Sequence, residues 1–252
     1  MTTPTSTHAP AAPLTTSERV RLAQTEADRW VRLVHGFSPE DWEAPSGCEG
    51  WTVADLVRHC IGQAEQMSSF RAALRQARAG KKLARGRALI DGMTEYQVAS
   101  RAHVPPAELV TELEAALPPA VKARGKWPNT STRLGIKVDV PDPRGVYKER
   151  WSFAYMAHVM TRDLWMHRVD FDMVGVAPLE LTPQHDARIV ADAVADWARR
   201  HGGPFDLTLT GPAGGHWRHP GEGPVIELGA VAFCQGLFGR APAPAYDVVV
   251  PF

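Results

Sequence analysis

Up to about residue 170 the apolar residues of this chain return every third or fourth position, and only beyond Pro178 do they begin to alternate. A period near 3.6 buries one face of a helix, whereas a period of two buries one face of a strand. The N-terminal part is therefore expected to be helical and the C-terminal part mixed. Val20, Leu22, Ala23, Ala27, Trp30, Val31 and Val34 form one stripe, with Gly36 as its stop. A second stripe runs through Val53, Leu56, Val57, Cys60, Ile61, Ala64 and Met67. Thr52 stands before it as an N-cap, and Asp55 three residues on completes a capping box.

Further helices are expected at about 88–102 and, after Pro105-Pro106, at about 107–124. The Gly/Pro-rich stretch 125–146 reads as a long loop, and 147–170 as helix again. Beyond it, a helix over 183–200 precedes an alternating FDLTLT strand (205–210), a short VIEL strand (225–228), a small helix over 229–239 and a final YDVVV strand (246–250). Helices first and a mixed piece last imply two domains, divided near 177–182: a four-helix bundle over 15–177 and a small αβ domain over 178–252. Residues 1–14, rich in Thr, Pro and Ala, read as a disordered leader.

Charge narrows the function. The 28 Lys and Arg balance 28 Asp and Glu, which speaks against a nucleic-acid or membrane-surface binder. No apolar run is long enough to span a bilayer, and the N-terminus has no signal-peptide pattern. Three cysteines are too few for a disulfide framework, so a cytoplasmic protein is expected. The run 71–87 carries seven bases and no acid. It reads as a solvated helix end and loop, with an anion-steering patch as the alternative.

Three side chains suggest chemistry. Asp163 and His167 stand four apart on an expected helix, so they share a face about 5–6 Å apart. His59 adjoins the second stripe. Two histidines and a carboxylate from two helices make a metal set that leaves positions open for water or substrate. The same spacing also occurs in plain surface pairs, and a lone helix histidine is often only a boundary residue. His216 and His219 flank Trp217 in a Gly-rich turn and read as loop residues. The sequence holds no GxSxG elbow, no GxxxxGK[ST] loop and no GxGxxG after a strand. Cys48, in the loop GCEGWT, is either an internal nucleophile or a small packed residue; Cys60 and Cys234 read as core.

The run from Trp42 through Pro45, Cys48, Gly50, Trp51, Thr52, Asp55 and Leu56 to His59 resembles the opening signature of the mycothiol-dependent maleylpyruvate isomerase family, which has a DinB-like metal-binding four-helix bundle. RDLWMHRVD (162–170) resembles that family's second signature, and GAVAFCQGLFGR followed by VVVPF resembles its small, sterol-carrier-like C-terminal domain. The resemblance implies a divalent metal, zinc by choice, on His59, Asp163 and His167. It also implies mycothiol as thiol cosubstrate for isomerisation or thiol transfer on a small electrophilic molecule. No side chain is singled out as catalytic. Two positions depart from the pattern. Asp163 replaces the more usual Glu, and Gln235 stands where many members carry Arg, so a substrate other than maleylpyruvate is expected. Two alternatives remain at this level: metal-bound water in place of the thiol, and a metal- or ligand-binding module without turnover.

Overall fold

The computed structural model describes residues 11–126, 135–142, 145–242 and 250. Described residues of Thr16–Asp139 and Glu149–Leu179 form one compact unit, and those of Met1–Thr15, Val140–Lys148 and Glu180–Phe252 a second. The chain is mainly α, with its sheets small. None of the described helices is long and apolar enough to cross a membrane.

In the first unit the long helices are α1 (Thr16–Gly36), α3 (Val53–Ser68), α6 (Pro106–Arg124) and α7 (Phe153–Met173). A short α2 (Pro39–Glu43) follows α1, and the pair α4 (Phe70–Leu83) and α5 (Leu89–Ala99) packs on α3. The α3 cap forms as the sequence reads: Thr52 Oγ1 accepts from the Asp55 amide at 3.2 Å, and the Asp55 carboxylate accepts from the Thr52 amide at 3.1 Å. The apolar stripes meet in a core containing Trp30, Trp42, Leu56, Val57, Ile61, Leu109, Leu113, Leu164 and Phe171. Trp30 ties α1 to α7, because its indole N–H donates to the Leu164 carbonyl at 2.9 Å and its ring centroid stands 5.5 Å from that of Phe171. Trp30→Ala removes that ring and its hydrogen bond between the two helices, so a loss of about 3–5 kcal/mol is expected. Urea unfolding should show a lower midpoint at an unchanged slope; a loss under about 1 kcal/mol would contradict this packing.

Two expectations for residues 71–152 are corrected. The basic run is not a helix end and loop. Most of it lies in the full helix α4, which buries Ala72, Gln76 and Gly80 on one face and ends before a turn with Arg85 at φ +48° and Gly86 at φ +92°. The stretch read as loop and then helix contains a pair of strands, β1 (Gly135–Asp142) and β2 (Gly145–Ser152). Ile136, Val138 and Val140 alternate with Lys137 and Asp139, a period of two that the flanking prolines and glycines obscure. Consequently α7 starts at Phe153, where Ser152 Oγ caps it by accepting from the Tyr155 amide at 3.1 Å.

The second unit holds α8 (Asp186–His201), β3 (Phe205–Thr210), β4 (Gly215–His219), β5 (Val225–Gly229) and α9 (Ala230–Leu237). Strand order is β4-β3-β5, antiparallel to β4 and parallel to β5, with Leu207 opposite both Trp217 and Ile226. Phe205, Leu207 and Leu209 point into a core shared with Trp197 and Phe233. Gly202, at φ +70°, ends α8 in the left-handed conformation that glycine adopts without strain. Strand β4 corrects the reading of 215–219 as loop: His216 lies in it, 2.7 Å from the Asp206 carboxylate on β3, and His219 closes it. The YDVVV strand lies outside the described residues except for Val250. Leu14, at the end of the presumed leader, is buried.

Candidate metal centre

Helix α3 carries His59 and α7 carries Asp163, His167 and Asp170, spaced so that all three fall on one face. His59, Asp163 and His167 are all buried, and one ligand atom from each lies within 4.8 Å of the other two. His59 Nε2 stands 3.4 Å from Asp163 Oδ2, and His167 Nε2 stands 3.5 Å from Asp163 Oδ1. The two imidazoles meet edge to face with centroids 5.3 Å apart, and the Trp51 ring stands tilted against His59 with centroids 5.5 Å apart.

Both outer nitrogens are held by partners. His59 Nδ1 lies 2.8 Å from Gln97 Oε1 on α5. The amide nitrogen of Gln97 is already committed, donating to Gln76 Oε1 at 2.8 Å and Gln66 Oε1 at 3.2 Å, so the proton of this bond belongs to His59. Gln76 in turn donates to the Gly62 carbonyl at 2.7 Å. A Cβ on Gly62 would stand 2.4 Å from Gln97 Cγ, so only glycine lets this relay pass. His167 Nδ1 lies 2.7 Å from Asp170 Oδ2 and donates to it. A proton on each outer nitrogen leaves both Nε2 atoms facing the carboxylate of Asp163, which also accepts from Gln63 Nε2.

Charge in the site is strongly biased. Burial by itself would raise the Asp163 carboxyl, but the neighbouring His167 and His59 outweigh it and hold the group well below the usual carboxylate range. Burial would likewise lower His167, but Asp163 and Asp170 outweigh it and push it well above the usual histidine value. A carboxylate kept ionised in a buried site demands positive charge beside it, whether as a proton on His167 or as a cation.

The donor set fits a divalent metal. Neighbouring ligands on one tetrahedral zinc, each about 2.0–2.2 Å from it, stand roughly 3.3–3.6 Å apart. Each histidine approaches a different oxygen of the Asp163 carboxylate at that spacing, 3.4 and 3.5 Å, and one ligand atom from each of the three residues lies within 4.8 Å of the others. A second cluster, Cys48, His167 and Asp170, does not. Its 2.7 Å nitrogen–oxygen separation is a hydrogen bond rather than a ligand edge, and Cys48 Sγ lies on the Nδ1 side of His167, donating to Asp170 Oδ2 at 3.4 Å. Cys60 is fully buried and its thiol is pushed up by that burial, so it stays protonated and inert. Cys234 is buried on α9, and Gln235 beside it is half-buried.

The structure therefore brings the three sequence candidates together and leaves His158, His216, His219, Cys60 and Cys234 outside the set. Gln63, Gln97 and Asp170 are additions. Asp170 had a signal, since it follows His167 by three on the same helix; Gln97 had none, because it reaches His59 from a different helix.

A family model described as the mycothiol maleylpyruvate isomerase N-terminal domain matches residues 23–172. No curated protein matches the chain significantly. Two solved structures share the fold. A crystal structure of the mycothiol-dependent maleylpyruvate isomerase aligns with a TM-score of 0.55 at 16% identity, over 93% of this chain and 92% of that one. A histidine-to-alanine mutant of that enzyme aligns with a TM-score of 0.56 at 16% identity, over 92% and 96%.

Proposed function

The chain belongs to the mycothiol maleylpyruvate isomerase N-terminal domain family, and from that premise we propose that it is a metal-dependent enzyme that uses mycothiol on a small electrophilic substrate, by isomerisation or thiol transfer. His59, Asp163 and His167 hold the metal, with zinc the best match to two imidazoles and one carboxylate. The observation that carries this reading is the pair of separations, 3.4 and 3.5 Å, between the two histidine Nε2 atoms and the Asp163 oxygens.

A divalent metal at this position would lower the pKa of a thiol and so supply thiolate near neutral pH. The protein's own residues do the rest. Gln97 and Asp170 fix the tautomers of the two histidines, and burial keeps bulk water from them. For isomerisation, the thiolate adds to one carbon of an activated double bond and the electron pair moves to the conjugated carbonyl. The resulting single bond rotates, and expulsion of the same thiolate restores the alkene. That sequence needs no side-chain nucleophile, in keeping with a chain that holds no GxSxG elbow. Gln235, where many members have Arg, supports a substrate other than maleylpyruvate; Asp163 reaches one methylene less far than Glu.

Cys48→Ala separates the two sources of sulfur. Zinc-loaded enzyme should need added mycothiol for turnover of a conjugated cis-alkene acid, and the variant should keep that dependence. Turnover that needs no added thiol and disappears with Cys48 would assign the sulfur to the protein itself.

A further inference from the structure

The two histidines of the centre have unlike supports. His59 donates to the amide oxygen of Gln97 at 2.8 Å, whereas His167 donates to a carboxylate oxygen of Asp170 at 2.7 Å. A carboxylate behind an imidazole raises the electron density at the opposite nitrogen and holds the ring plane, both of which strengthen that nitrogen as a ligand; an amide orients without adding charge. Asp170 is also unusually well fixed. It is fully buried, a second donor reaches the same oxygen from Cys48 at 3.4 Å, and the loop bearing Cys48 crosses its backbone closely. Gly47, at φ +84°, makes that crossing possible: a Cβ there would stand 2.7 Å from the Asp170 carbonyl oxygen.

We propose that Asp170 is a positioning residue that makes His167 the stronger of the two histidine ligands, so that the charge of Asp170, and not only its shape, sets how tightly the centre holds its metal. This rests on His59, Asp163 and His167 being the metal ligands. Asp170 acts through His167 and touches no reacting atom. The asymmetry leaves α7 as the metal's main anchor and His59, with its neutral relay through Gln97 and Gln76, as the weaker arm.

Full-length Asp170→Asn and Asp170→Ala are compared with wild type and with His59→Ala. Zinc dissociation constants come from chelator competition, and the ligand field from cobalt-substituted protein. Asp170→Asn keeps the size and an acceptor oxygen but loses the charge, so zinc affinity should fall about 10- to 100-fold with a shifted cobalt spectrum and near-native melting. Asp170→Ala should fall at least as far; if it does not fold, the isosteric Asn variant decides. An Asn variant within about twofold of wild-type affinity, with a superimposable cobalt spectrum, overturns the proposal when His59→Ala has lost its metal. Wild-type affinity in His59→Ala as well refutes the ligand assignment itself, and the proposal with it.

Discussion

His59→Ala or His167→Ala is expected to leave the purified protein without bound metal. Each substitution removes one of three donor atoms and leaves Asp163 buried beside a single imidazole. Two protein ligands do not make a retentive zinc site, because structural and catalytic sites alike use at least three. Elemental analysis after dialysis against a weak chelator should show about one metal per chain in wild type and essentially none in either variant. Turnover should vanish with the metal. Full metal content in both variants would remove the basis of the proposed function. Asp163→Glu is the milder change. It lengthens the carboxylate by one methylene, and metal should be retained.

Glu26→Ala should produce the second large effect, on stability rather than chemistry. Glu26, on α1, is fully buried and accepts two parallel hydrogen bonds at 2.8 Å from Nε and Nη2 of Arg168 on α7, with Arg29 Nη1 3.8 Å away. A buried bidentate pair stands close to balance against its own desolvation, but removing Glu26 takes two charge-assisted hydrogen bonds from a guanidinium in the core. The expected loss is about 3–5 kcal/mol, which lowers the melting temperature of a chain this size by roughly 6–20 °C. Arg168 adjoins His167, so this pair also anchors the face of α7 that carries the centre; metal affinity should fall with it. A melting shift under about 2 °C would show that the pair carries little of the α1–α7 packing.

The helices were legible wherever an amphipathic stripe had to be buried. The stripes beginning at Val20 and Val53 became α1 and α3, and Thr52 with Asp55 placed the start of α3. The same reasoning failed for 135–152, where flanking prolines and glycines hide the alternation of β1 and exposed Ile136 adds no burial signal. It failed again for α4, because a helix can bury a face made of Ala, Gln and Gly rather than large apolar residues. In the centre, Asp163 and His167 were legible because a helix makes neighbours of residues four apart. Asp170 lies in the same run, yet spacing alone does not separate it from an ordinary surface acid. The contact between His59 and Gln97 spans 38 residues and depends on how α5 packs on α3, and Glu26 and Arg168 stand 142 residues apart. Such pairings are set by packing, not by local pattern.

The central claim is that an external thiol binds at the metal held by His59, Asp163 and His167. It is tested most directly by titrating mycothiol into the cobalt-substituted protein and recording its absorption. A thiolate entering the coordination shell changes the ligand field and adds a sulfur-to-cobalt charge-transfer band, which the thiol-free protein should lack because Cys48 lies on the far side of His167. The account predicts that this band grows to saturation at one thiol per cobalt and is absent in His59→Ala. An unchanged cobalt spectrum at saturating mycothiol, in protein that still turns over its substrate, would contradict it.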